Sequence, residues 1–298
     1  MKIYSVQKGS DILLVAPVKR TGNSSAEIFG SRAGFDYVDV IYAEDNPPEM
    51  LKAALMKFLQ CLADDGFDSL EWKFLDASGM SRRFLGEIFS DLQFSPVRNV
   101  RIHIDIHESF ASYTASLSKS VRQNIRTAYN RLSRDGHVIT ARAFFREELK
   151  QKSIRKFLGM CNDIYIGRMA SRYGYTHIRN KISKRFFHYT TQIPQAEEGF
   201  CSFVMIDGDI AAFMYGYDNR RIMSVEIPRL AINDKFRFYS PGLLLVNETV
   251  KILMEKGYRS LNLCRGTEKY KFDMGGSEYM TESAVIDLMP LKAQRNAL

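Results

Sequence analysis

Apolar and polar positions change period several times along the chain, and those changes predict its elements. Residues 12–15 form a short apolar run, and residues 37–42 (Tyr37-Val38-Asp39-Val40-Ile41-Tyr42) alternate, so each reads as a strand, with Asn46-Pro47-Pro48 ending the second. Met50, Leu51, Ala54, Leu55, Phe58, Leu59 and Leu62 then recur at helical spacing, and Asp65-Gly66 closes that helix. Residues 69–75 read as a strand, 82–92 as a short helix and 100–106 as another strand. Further on, residues 200–206, 210–217 and 222–227 predict three strands joined by Asp207-Gly208-Asp209 and Asp218-Asn219-Arg220, which are hairpin residues. An irregular stretch over 228–239 leads to Ser240-Pro241-Gly242. A helix follows with Leu243, Val246, Val250, Leu253 and Met254 on one face, then Gly257 and a strand over 259–263.

The two halves share a pattern. Gly66-Phe67-Asp68-Ser69-Leu70 and Gly257-Tyr258-Arg259-Ser260-Leu261 both fit Gly-aromatic-x-Ser-Leu between a helix and a strand, and each is preceded by strand, Pro-containing loop and helix. The expected architecture is a duplicated α/β (α+β) unit: two mixed sheets flanked by helices, divided into residues 1–112 and 113–298. In the basic stretch between them, Leu117, Val121, Ile125, Ala128 and Leu132 fall within about 80° of one another at ~100° per residue, with Lys119, Arg122, Arg126 and Arg134 opposite. Residues 168–189 read as further helix, interrupted at Gly174.

Composition narrows the class. With 298 residues, 20 Phe and 15 Tyr, the chain can fill a core, which excludes disorder and fibrous repeats. No stretch approaches the ~20 apolar residues of a spanning helix, so a soluble, cytoplasmic protein is expected. The four cysteines form no CxxC pair, and His103 and His107 lack nearby partners, so neither a disulfide framework nor a metal site is expected. The net charge is +8, and the segment 117–160 alone holds eleven Lys and Arg against three acids, a surplus equal to that of the whole chain.

Chemistry concentrates after residue 238. The turn Tyr239-Ser240-Pro241-Gly242 enters a helix whose first N–H groups and positive dipole end suit phosphate oxygens; read otherwise, it is an ordinary Ser-Pro helix start. Arg265-Gly266-Thr267-Glu268-Lys269-Tyr270-Lys271 follows a strand that a crossover would lay beside the one feeding that turn. Tyr270 could then protonate a leaving thiolate and Lys271 stabilise developing negative charge, or the pair could be a packed Tyr beside a solvated Lys. Lys119, Arg122 and Arg126 could meet an anionic acceptor or tRNA phosphates, or simply face water.

Asp207-Gly208-Asp209-Ile210-Ala211-Ala212, Tyr239 to Gly242, Gly257-Tyr258 to Asn262, Gly266 to Tyr270-Lys271, the segment from Leu117-Ser118-Lys119 through Gly136, and Asp36-Tyr37-Val38-Asp39 together resemble the FemAB-like and CelD/BioF2-like acetyltransferase domains of the GNAT superfamily. The resemblance implies a tandem GNAT-like fold. Its second half would bind the donor, an acetyl- or other acyl-CoA, or aminoacyl-tRNA in Fem-type members, through Tyr239, Ser240, Gly242, Leu243, Leu244 and Arg265. The first half, with Asn46-Pro47-Pro48 at the corresponding turn, would have lost donor binding. Tyr270 and Lys271 match an aromatic-Lys pair of the family. Asn262 stands where relatives commonly carry Asp; an amide can orient a substrate but cannot act as a base, which makes Glu226 the substitute base candidate. The implied reaction is acyl transfer to an amine or hydroxyl of a small-molecule, saccharide or peptide acceptor, in cell-envelope or exopolysaccharide metabolism by family association. The alternatives are a tRNA-dependent peptidoglycan ligase and an inactive ligand-binding module.

Overall fold

The computed structural model describes residues 1–30, 38–173 and 198–295. In chain order its elements are β1 (Lys2–Lys8), β2 (Asp11–Arg20), β3 (Ser25–Ile28), β4 (Ile41–Tyr42), α1 (Pro48–Asp64), β5 (Ser69–Asp76), α2 (Met80–Ile88), β6 (Ser95–Asp105), α3 (Phe110–Ser116), α4 (Lys119–Arg134), β7 (Ile139–Phe145) and α5 (Lys152–Tyr173). There follow β8 (Gly199–Ile206), β9 (Asp209–Asn219), β10 (Ser224–Ile232), α6 (Pro241–Glu255), β11 (Ser260–Arg265), α7 (Lys269–Asp273), β12 (Gly276–Asp287) and α8 (Met289–Arg295), with 3-10 turns at Arg146–Lys150 and Asp234–Tyr239. The contacts divide the chain into residues 1–100 with 279–298, and residues 101–278.

In the first unit the strands run in the order β1, β2, β3, β5, β12, with β4 on β2. Leu51, Leu55, Phe58, Leu59 and Leu62 of α1 are all buried, about 2 kcal/mol each by apolar transfer, in a core that also holds Trp72. The expected boundary at 112/113 differs from the observed division because β12 pairs antiparallel with β5, from Thr281 opposite Asp76 to Asp287 opposite Ser69. A pairing between residues some two hundred apart leaves no local signature.

The alternation over 37–42 produces a strand only at Ile41–Tyr42, and Tyr37 lies outside the described residues. The backbone at 38–40 bonds elsewhere: Trp72 Nε1 donates to Val38 O at 2.8 Å, Val38 N to Phe74 O at 3.2 Å, and Val40 N to Asp39 Oδ1 at 2.7 Å. Of the helix expected over 168–189, residues up to Tyr173 belong to α5 and the remainder lie outside the described residues.

The second unit orders its strands β6, β11, β10, β9, β8, β7. Among the described residues only β10 and β11 are parallel there, and α6 connects them. The buried stripe of α4 is the expected one, Val121, Ile125, Ala128 and Leu132. Asp207 and Gly208 take φ of 52° and 85°, the left-handed pair a two-residue hairpin between β8 and β9 requires.

The internal repeat holds at atomic detail. Gly66 and Gly257 both take left-handed φ, 89° and 77°, after α1 and α6. Phe67 N bonds Leu62 O at 3.1 Å, and Tyr258 N bonds Leu253 O at 3.0 Å. Each following serine opens a strand and meets a serine on its parallel neighbour: Ser69 Oγ lies 3.2 Å from Ser25 Oγ, and Ser260 Oγ lies 2.7 Å from Ser224 Oγ. The same strand-helix-strand unit is therefore built twice.

Candidate active site where β10 and β11 part

Three rungs join β10 to β11: Ser224 to Ser260, Val225 to Leu261 and Glu226 to Asn262. Beyond the third, each strand follows its other neighbour. β10 continues along β9 after an irregularity between Glu226 and Arg229, and β11 reaches Arg265 opposite Arg101 of β6 after one beyond Asn262. Pro228, which has no N–H, sits in the first irregularity, so the first part of the stretch expected as irregular, up to Ile232, is a strand carrying a bulge, and the rest is the 3-10 turn. Gly216 of β9 permits it: a Cβ there would lie 1.7 Å from Glu226 O. On the other side, Asn262 Oδ1 accepts the N–H of Cys264 at 2.9 Å, and Cys264 takes φ of 55°. The result is a V whose apex is the pair Glu226 and Asn262 and whose arms carry no rungs to each other among the described residues.

The N-terminus of α6 follows the β10 arm. Ser240 is left-handed at φ 50°, and its carbonyl accepts Leu243 N at 3.0 Å and Leu244 N at 3.3 Å. Pro241 has no N–H, so Gly242 supplies the amide that no carbonyl takes among the described residues, a narrower anion site than the sequence implied. Gly242 also packs closely on β10, where a Cβ would come within 3.1 Å of Ile232 Cγ2. Leu244 is fully buried beside Ala128, Leu132 and Phe236, so only its backbone belongs to this turn. Tyr239 is turned away toward α4, its hydroxyl donating to Asp135 Oδ2 at 3.0 Å, which removes that phenol from the expected donor contacts.

The β11 arm ends in a loop organised by Lys271. Only 3% exposed, its ammonium donates to Arg265 O at 2.7 Å and Cys264 O at 3.3 Å and lies 3.1 Å from Glu268 Oε2. Its charge is thus taken up by the chain itself. Tyr270, half-buried against the core, holds its hydroxyl proton more tightly than usual, chiefly through burial and then through Glu268, with the charge of Arg168 opposing. A phenol so placed stays protonated across the neutral range.

Lys119, Arg122 and Arg126 project from the exposed face of α4, where Arg122 donates to Ala115 O at 3.0 Å and to Leu117 O at 2.5 Å and so caps α3. Arg168 of α5 gave no sequence signal, because α5 lacks a clean apolar stripe, yet it lies 3.8 Å from Asp234 Oδ1, two residues beyond β10. Among the described residues no group of three His, Cys, Asp or Glu side chains could hold a metal ion, and no helix is long and apolar enough to cross a membrane.

Crossover, bulges and glycine turn make a splayed parallel pair with a helix start at its mouth. Residues 119–272, more than half the chain, match the family described as acetyltransferase (GNAT) domain. The chain belongs to the GNAT acetyltransferase family. As a GNAT protein it is an acyltransferase, with the α/β class and helix-flanked mixed sheet expected of it. FemX matches with a TM-score of 0.61 at 11% identity over 98% of this chain and 89% of that one. A C-terminal domain from Agrobacterium fabrum assigned to lysylphosphatidylglycerol synthetase matches at 0.61 and 13% identity, over 99% and 88%. L-PGS from Bacillus licheniformis matches at 0.59 and 15%, over 94% and 82%. At such identities the likeness shows the fold. No curated protein matches the sequence.

Proposed function

We propose that this GNAT acyltransferase takes its acyl group from an acyl-CoA, with the thioester held between the arms of the V and the donor's phosphates toward Gly242 and the start of α6. The observation that carries this reading is the parting of β10 and β11 after Glu226 and Asn262, which leaves backbone amides of the β10 arm without rungs to β11. Such amides can polarise a carbonyl that enters there. Tyr270, protonated and beside the β11 arm, is placed to give its proton to the departing thiolate. Glu226 is the carboxylate nearest the apex that could accept the acceptor's proton, and Asn262 shapes the β11 arm rather than moving a proton. Lys271 acts by holding the loop that presents Arg265 and Tyr270. In the first unit Pro47 and Pro48 open α1 with two residues that lack N–H groups, which argues against a second donor site there.

The acceptor in this reading is an amine or hydroxyl of a small molecule, saccharide or peptide, and the setting is cytoplasmic and connected with the cell envelope. The envelope part rests on the FemAB-like resemblance and on the lysylphosphatidylglycerol synthetase likeness alone. A second reading, an aminoacyl-tRNA donor, is favoured by α4, which carries five cations and no acid. Titration with acetyl-CoA and with charged tRNA at several salt concentrations separates them. The acyl-CoA reading requires acetyl-CoA to bind and to raise the melting temperature by mass action, whereas tRNA binding would weaken steeply with salt. Binding of neither leaves a ligand-binding module without turnover.

A further inference from the structure

Most cations around the V have anionic or carbonyl partners. Lys271 is enclosed by its loop, Lys269 pairs with Asp273 at 2.6 Å, and Lys235 pairs with Asp209 at 2.6 Å. Arg168 differs. Its side chain is 33% exposed, and among the described residues its one ion pair is with Asp234 at 3.8 Å and it makes no hydrogen bond. A guanidinium has five donors in a planar fork, so a half-buried one with a single long contact has most of its capacity unused.

Its position is set by the helix that carries it. α5 packs on β10, where Tyr165 lies flat against the guanidinium of Arg229, 4.0 Å from carbon to ring centre. Arg168 is three residues further along the same helix and therefore on the same face. From there it reaches Asp234, just past the β10 arm, and its charge acts on Tyr270, just past the β11 arm. One cation thus lies at the β10 side of the mouth of the V, near enough to Tyr270 for its charge to be felt there. α6 joins the two strands by a crossover of its own, so the helix start at Gly242 and Arg168 are separate features.

We propose that Arg168 is the anchor for an anionic acceptor: the substrate that receives the acyl group carries a carboxylate or phosphate, which binds the guanidinium in place of Asp234 and holds the attacking amine or hydroxyl beside Tyr270. This rests on the acyltransferase reading of the V and adds the chemical class of its second substrate. Asp234, 59% exposed, loses little on release because water replaces the contact. A bidentate oxyanion on the fork gains the stronger, charge-assisted geometry.

The test is binding at constant ionic strength of two amine-bearing anions and their neutral counterparts: glucosamine 6-phosphate against glucosamine, and glutamate against glutamine. Wild type is expected to bind at least one anion tenfold or more tightly than its neutral partner, and the pair that responds tells phosphate from carboxylate. Arg168→Gln is expected to erase that preference, Arg168→Lys to restore part of it, and Asp234→Asn to strengthen binding, while acetyl-CoA affinity stays within twofold in all three. No anion preference in wild type, or a preference that survives in Arg168→Gln, overturns the inference. So does a parallel loss of acetyl-CoA affinity in Arg168→Gln, which would assign the cation to the donor. Acetyl-CoA titration of wild type tests the donor reading separately.

Discussion

Glu226 on β10 and Asn262 on β11 face each other across the last rung before the strands part. Asn262 is 7% exposed and uses its carbonyl oxygen to hold the N–H of Cys264, so a neutral side chain completes the bulge beside a carboxylate. Asn262→Asp could keep that bond but would set two carboxylates against each other in a sheltered place, raising the folded-state pKa of one. A raised carboxyl pKa favours the folded state at low pH and disfavours it as pH rises. The variant should match wild type near pH 4 and be less stable by about 1–3 kcal/mol at pH 8, read by urea unfolding at both.

Removing the ammonium of Lys271 leaves two sheltered carbonyls without a donor. Lys271→Met is expected to cost about 3 kcal/mol of stability in chemical denaturation and to lower acetyl-CoA affinity by loosening the β11 arm. A variant with wild-type stability would contradict the organising role assigned to it.

Gly216 lies under the β10 bulge, and the Cβ of Gly216→Ala would meet Glu226 O and Pro228 Cδ at 1.7 and 2.8 Å. Backbone cannot give way as a side-chain end can, so a loss of about 3 kcal/mol is expected, larger than for an ordinary strand glycine. Gly66→Ala at the turn after α1, where no atom lies within 4 Å, should cost about 1 kcal/mol from its positive φ alone.

In the first unit the carboxyl of Asp65 is held below its ordinary pKa, first by a hydrogen bond from Lys2 and then by one from Tyr4. A lowered folded-state pKa contributes stability above the unfolded value near 4, and that contribution is lost as pH falls through the lowered one. Asp65→Asn should therefore lower the melting temperature at pH 7 and converge with wild type toward pH 2. A difference that persists unchanged at low pH would show that charge is not the cause.

The outward stripe of α4 separates the two donor readings without touching the V. Replacing Lys119 and Arg126 together by Gln should leave stability and acetyl-CoA affinity unaltered. If tRNA is a ligand, its affinity and salt slope should both fall. Arg122 is not a clean probe, because its guanidinium also caps α3.

The sequence alone determined whatever depends on neighbours a few residues apart. The buried stripes of α1 and α4 follow from helical spacing, the turn at Asp207-Gly208 from residues that tolerate positive φ, and the duplicated Gly-aromatic-x-Ser-Leu stop from one local geometry used twice. The two halves of the candidate site, Gly242 and Tyr270-Lys271, were legible for the same reason: a crossover must return its strand parallel to the first. Tertiary structure alone decided which groups remain available. Lys271 turned inward onto its own loop, Tyr239 turned to Asp135, β12 joined β5, and Arg168 arrived at the mouth of the V from a helix with no clear periodicity. Each is a contact between segments far apart in the chain, where local preference is silent and packing, hydrogen-bond satisfaction and the desolvation of charge select the outcome.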